Sequence, residues 1–131
     1  MTPTRLAVLV SVLCSAGCLS PQKVALQRQA GATRPVCDGA ADCAAKWDAA
    51  QLWVAQHAGY GIQTATNVVI QTYTSVNSSD TRLMATVTKE PIGSGKYRIV
   101  AKLSCWNMSG CSTDPTQATV DFNNAVAAAA P

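Results

Sequence analysis

Residues 81–105, TRLMATVTKEPIGSGKYRIVAKLSC, decide the fold. From Thr81 to Lys89 the side chains alternate. Leu83, Ala85 and Val87 fall on one face, and Arg82, Met84, Thr86 and Thr88 on the other. A period of two is the signature of a strand with one buried and one wetter face. Pro91-Ile92-Gly93-Ser94-Gly95 then reads as a turn. From Lys96 to Cys105 the alternation resumes, with Tyr97, Ile99, Ala101 and Leu103 opposite Lys96, Arg98, Val100, Lys102 and Ser104. Two alternating runs around a glycine turn make an antiparallel hairpin.

Upstream of it, Gly61 to Thr74 (GIQTATNVVIQTYT) is rich in Thr, Val, Ile and Tyr. Asn67 marks a bulge or a tight turn, so this stretch is one bent strand or two short ones. Ser75–Asp80 (SVNSSD) is a polar turn cluster. Two helices bracket the strands. The first starts at a cap provided by Asp38 or Asp42 and runs to about His57. Its apolar face carries Cys43, Trp47, Ala50 and Val54, widened by Trp53. Gly59 is expected to supply a left-handed stop. The second opens on Asp114-Pro115-Thr116-Gln117, with Asp as cap and Pro at the first helical position. Its stripe is Ala118, Phe122, Ala125, Val126 and Ala129. The expectation is α+β: a three- or four-stranded antiparallel meander in two layers, with both helices on one face.

The N-terminus has a different character. Arg5 is followed by an apolar run, Leu6 to Leu13, and then by small residues. A basic start, a short apolar run and a small-residue site form an export signal. The run is shorter than the roughly 20 residues that span a bilayer. Ser15-Ala16-Gly17-Cys18 resembles the lipobox of bacterial lipoproteins, with Ser15 standing where leucine is usual. The resemblance implies cleavage before Cys18 and acylation of that cysteine, giving a membrane anchor. Ordinary cleavage after Gly17 is the alternative. Leu19, by resemblance to enterobacterial sorting, implies the outer membrane, facing the periplasm. Cys14 leaves with the signal. If Cys18 is acylated, Cys37, Cys43, Cys105 and Cys111 remain, an even number able to pair.

The expected organisation is a signal peptide over 1–17, a flexible tether over 18–36 and a small α+β domain over 37–131. Leu19 to Pro35 has proline near both ends and three glutamines, and it reads as a solvated spacer. As a coil it would hold the domain roughly 20–25 Å from its anchor. Cys37 and Cys43 enclose five residues, as do Cys105 and Cys111. Two local disulfides are the first choice among the three possible connectivities.

Several chemistries are weighed and set aside. Both cysteine gaps are longer than those of structural zinc sites, and export favours disulfides, so no metal is expected. His57 is the only histidine and no nucleophile elbow is present. The acids fall at caps, turns and outer helix faces, without an evident apolar pocket to raise a pKa. Gly93-Ser94-Gly95-Lys96 lacks the spacing of a phosphate loop. No catalytic residue and no cofactor are expected. The ten Lys and Arg become nine once Arg5 leaves, against seven Asp and Glu, a net charge of about +2 that gives no nucleic-acid footprint.

Two binding features remain. Arg82, Lys96, Arg98 and Lys102 would form a positive outer sheet face, suited to an acidic polymer or an envelope protein. Trp106, in a stapled loop with Met108, would make an interface anchor, or else pack on its own disulfide or cap the core. The expected function is a lipid-anchored, non-enzymatic envelope binding module. The alternative is a periplasmic inhibitor or immunity protein against a cell-wall hydrolase or secreted toxin.

Overall fold

The computed structural model describes residues 19–131. The expected signal segment over 1–17 and Cys18 lie outside the described residues. The central hairpin joins β4 (Met84–Gly93) to β5 (Lys96–Ser104), in antiparallel register from Met84 opposite Ser104 to Gly93 opposite Lys96. The turn is tighter than the expected five residues. Ser94 and Gly95 alone make it, with φ of 55° and 72°. Positive φ at both central positions is the primed turn whose twist matches the flanking strands. Pro91 therefore lies inside β4, beside a register shift between Pro91 and Gly93. It is tolerated because β3 (Val69–Thr72) pairs with β4 only as far as Thr88, so the missing N–H faces no neighbour.

Residues 61–74 resolve into two short strands, β2 (Ile62–Ala65) and β3. Asn67 sits in the turn between them. Thr66 shapes that turn, its Oγ1 accepting from the N–H groups of Val68 and Val69 at 3.2 and 3.0 Å. A fifth strand, β1 (Val36–Asp38), adds antiparallel to β5, so the sheet order is β1-β5-β4-β3-β2. The sheet is thus one strand wider than expected.

Helices α2 (Gly39–His57) and α3 (Pro115–Ala127) pack on the face carrying Ile70, Leu83, Ala85, Val87 and Ile99. Trp47, Ala50, Trp53 and Val54 of α2 meet Ala118, Phe122 and Val126 of α3 there. The Phe122 ring stands edge-on to Trp53 at 5.3 Å. The buried Trp47 indole donates to the Thr66 carbonyl at 2.8 Å, so its one polar atom is satisfied. Truncating an aromatic such as Phe122 in this setting costs about 3–5 kcal/mol.

Both disulfides are local. Cys37–Cys43 clips β1 to the first turns of α2, and Cys105–Cys111 closes the loop leading to α3. At the start of α2, Asp38 is the cap residue but makes no side-chain cap bond. Asp42 Oδ2 instead reaches back to accept the Asp38 N–H at 2.9 Å, and Lys46 Nζ binds the same oxygen at 3.0 Å. The Asp42 carboxyl is accordingly held below the usual carboxylate range, by the Asp38 N–H first and Lys46 second.

The flexible tether expected over 18–36 is corrected for most of its length. Pro21–Ala32 forms helix α1, capped by Ser20, whose Oγ accepts from the Lys23 N–H at 3.3 Å. No α1 residue is buried. What holds the helix is Asn123 of α3, fully buried, whose Nδ2 donates to the Ala30 carbonyl at 2.9 Å and to Thr33 Oγ1 at 3.1 Å. Val36 then enters the sheet as part of β1. Gly59 is also corrected. Its φ is not positive, and Ala58 caps α2 in an extended conformation. Glycine is needed because a Cβ there would stand 2.4 Å from the Cβ of Arg82. Among the described residues, no helix is long and apolar enough to cross a membrane.

Candidate functional site

The outer face of the sheet carries the even-numbered side chains of β5. Lys96 stands opposite Asp38 on β1, with Nζ 3.4 Å from its carboxylate. Arg98 stands opposite Val36 on one side and Glu90 on the other. Lys102 stands opposite Thr86. Two of these three cations therefore have an acid in the adjoining register position, and the face is mixed in sign rather than a positive patch.

Arg82 does not belong to that face, which corrects its expected placement. It precedes β4 and forks onto Asp80, with Nε 3.1 Å from Oδ1 and Nη2 2.7 Å from Oδ2. Its guanidinium lies over the Tyr60 ring at 4.3 Å. The Tyr60 hydroxyl donates to the same carboxylate. The Arg82 fork, the Tyr60 hydroxyl and the Arg82 N–H together hold the Asp80 carboxyl well below the usual carboxylate range. Asp80 in turn raises the Arg82 guanidinium above its ordinary value. Arg82 is a clamp joining the exit of α2 to the β3–β4 loop, and Gly59 leaves room for its stem.

His57, Asp114 and the described cysteines are likewise engaged. His57 Nδ1 lies 2.9 Å from the Trp53 carbonyl, and its ring stacks on Trp53 at 4.5 Å. Asp114 caps α3, accepting from the Thr116 and Gln117 N–H groups at 2.8 and 2.9 Å. The four cysteines are disulfide-bonded and so present no thiolate to a metal. Among the described residues, no three His, Cys, Asp or Glu side chains gather as a metal group would require.

One end of the sheet is different. There the β3–β4 loop (73–83) and the stapled 105–111 loop run side by side. Asn107 Nδ2 donates to the Ser79 carbonyl at 3.0 Å, and Ser112 gives both its N–H and its hydroxyl to the Thr81 carbonyl at 2.9 and 3.0 Å. Within these tied loops Trp106 is 55% exposed, Met108 100%, Tyr73 55% and Val76 98%. Trp106 is therefore more than half exposed, and Met108 points freely outward. Tyr73 and Val76 were not singled out by sequence. Val76 alone carries a signal, an apolar side chain in an otherwise polar turn.

Two hollows accompany these surfaces. One of about 550 Å³ lies between the start of α2 and the β2–β3 turn, bordered by Cys43, Asn67 and Tyr97. Lys89 also lines it, its ammonium 5.2 Å from the centre of the Trp47 ring. The other, of about 340 Å³, lies between α1, β5 and α3, and brings Arg34, Lys102 and Gln27 together. Lys102 borders this hollow from β5, while strand parity turns its side chain to the outer face. Arg34, assigned by sequence to the tether, becomes a lining residue because α1 is folded. Comparison with family models, curated proteins and solved structures finds no match to this chain.

Proposed function

We propose that the chain is a lipid-anchored cell-envelope protein whose domain binds a protein partner through its stapled loop end. The anchor reading rests on the export pattern of residues 1–17 and the lipobox-like Ser15-Ala16-Gly17-Cys18. Two disulfides suit the oxidising compartment to which such a signal leads.

The observation that carries the binding reading is the exposure of Trp106 and Met108 on a disulfide-closed loop tied to a second loop bearing Tyr73 and Val76. Aromatic side chains at the centre of an interface supply most of its energy, and Met adapts to irregular surfaces. A loop already fixed by a covalent bond and three hydrogen bonds loses little entropy when a partner closes over it. The mixed-sign sheet face offers a weaker basis, since two of its three cations have acids beside them. The engagement of the His57 ring and of the Asp42, Asp80 and Asp114 carboxylates in stacks, clamps and caps supports a non-enzymatic reading. A rigid protruding loop also suits the inhibitor or immunity reading, in which the partner is a hydrolase or toxin and the loop enters its cleft.

Photo-crosslinking in the native cells tests this. A photoreactive side chain at Met108 is expected to give one dominant protein adduct, lost on adding Trp106→Ala. The same probe at Gln63, exposed on β2, is expected to give none. Equal adducts from both positions, or none from position 108, would remove the loop end from the account.

A further inference from the structure

We infer that the hollow between α1, β5 and α3 captures the free carboxylate end of a short extended peptide. This is a second site, independent of the loop end, and three features of the chain converge on it.

The first is an unpaired length of sheet edge. β1 covers β5 only from Lys96 to Arg98, and the Pro35 carbonyl then takes the Ile99 N–H at 2.9 Å. Beyond Pro35 the chain turns away into α1. Backbone groups alternate in direction along a strand, so the N–H and C=O of Ala101 and Leu103 point the same way as those of Ile99. Among the described residues no strand lies beside them on that side. Ala101 and Leu103 line the hollow. An extended peptide entering there would continue the line of β1 and add main-chain hydrogen bonds, the usual logic of strand addition.

The second feature is charge. Arg34 and Lys102 both line the hollow, with no acidic residue in its wall. Neither makes an ion pair among the described residues. A guanidinium with no acid beside it selects a carboxylate, which Arg34 can bind through two parallel N–H groups. Gln27 and Thr116 add polar groups at the rim.

The third is size. The open edge from Ala101 to Leu103 is about 7 Å long at the rise of a strand. With about 340 Å³ available, the hollow holds a chain end rather than a passing strand. Edge pairing and a carboxylate clamp at one spot together specify a peptide terminus.

Gly31 gives a clean way to close the site. It lines the hollow, and a Cβ built there meets nothing within 4 Å. Gly31→Leu would push a side chain into open space, on a helix that prefers leucine to glycine. The test is a titration of the full chain in detergent with trialanine, as the free acid and as the C-terminal amide, followed by backbone amide NMR. The free acid is expected to shift the Ala101 and Leu103 signals saturably and to bind at least tenfold more tightly than the amide. Arg34→Gln is expected to abolish that preference. Gly31→Leu should abolish binding while the rest of the spectrum is retained. Equal binding of acid and amide, undisturbed binding in Gly31→Leu, or silent Ala101 and Leu103 amides would each overturn the inference.

Discussion

Replacing Asn123 by leucine separates the docking of α1 from the stability of the domain. Asn123 is fully buried, and its Nδ2 makes the two bonds to Ala30 and Thr33 that hold the end of α1. Its Oδ1 is buried without a hydrogen-bond partner. Losing two neutral hydrogen bonds costs about 1 kcal/mol each, roughly 2 kcal/mol in all. Removing an orphaned buried acceptor returns about 1–3 kcal/mol. The two terms oppose each other, so Asn123→Leu, which keeps the volume nearly constant, should change global stability by less than about 1 kcal/mol. The local effect is not offset. A 12-residue helix with no buried residue is marginal in water without its attachment. Loss of about 2 kcal/mol of docking corresponds to roughly 30-fold more frequent opening. Hydrogen exchange should therefore quicken by up to that factor at the amides of α1, with α2, α3 and the sheet unchanged. Unaltered exchange in α1 would show that Asn123 does not hold it. A global loss above about 3 kcal/mol would show that the orphaned carbonyl carries no penalty, and the reasoning would fail there.

Two other perturbations follow from the same geometry. Breaking Cys105–Cys111 by a double Cys→Ser change should cost about 2.4 kcal/mol, the chain-entropy value for a seven-residue loop, read as a fall in the urea midpoint; an unchanged midpoint would contradict it. Acid should weaken the fold through Asp80 and Asp42. Both carboxyls are depressed in the folded chain, so their contribution is complete above the unfolded value of about 3.9 and fades as pH falls through the folded value. The melting temperature is expected to hold down to about pH 5 and drop below about pH 4. Asp80→Asn should shallow that drop, and a variant with the wild-type acid limb would exclude Asp80 as its source.

Much of this fold was legible because burial is periodic. The α2 stripe Cys43, Trp47, Ala50 and Val54 is buried as spaced, and so are Leu83, Ala85 and Val87 on β4's approach and strand. Asp114-Pro115 announced α3 by cap chemistry alone. The same grammar stood at Ser20-Pro21, yet α1 went unread. Its polar surroundings show no apolar face, and what docks it is a single asparagine about ninety residues away in sequence. Strand β1 is three residues long and owes its existence to pairing with β5, which no local pattern encodes. In α3, Asn123 and Val120 are buried while Ala125 is exposed, because α1 covers a flank that the stripe alone leaves open to solvent. Arg82 was placed by strand parity, but parity ends where the strand ends. Asp80, two residues earlier, captures it instead. Trp106 and Met108 were visible as a stapled apolar pair. Their exposure depended on how the loop is tied to Ser79 and Thr81, a tertiary matter.

The proposed anchor and the two disulfides are tested most directly by the intact mass of the protein extracted from native membranes, with and without reductant. The expected mass is that of residues 18–131 plus a diacylglyceryl group and an N-linked acyl chain. It should be lighter by two hydrogens for each of two disulfides, and reductant should restore those four hydrogens. A chain that keeps residues 1–17, or one that begins at Cys18 without lipid, would contradict the anchor. Four free thiols before reduction would contradict the stapled loop on which the binding surface rests.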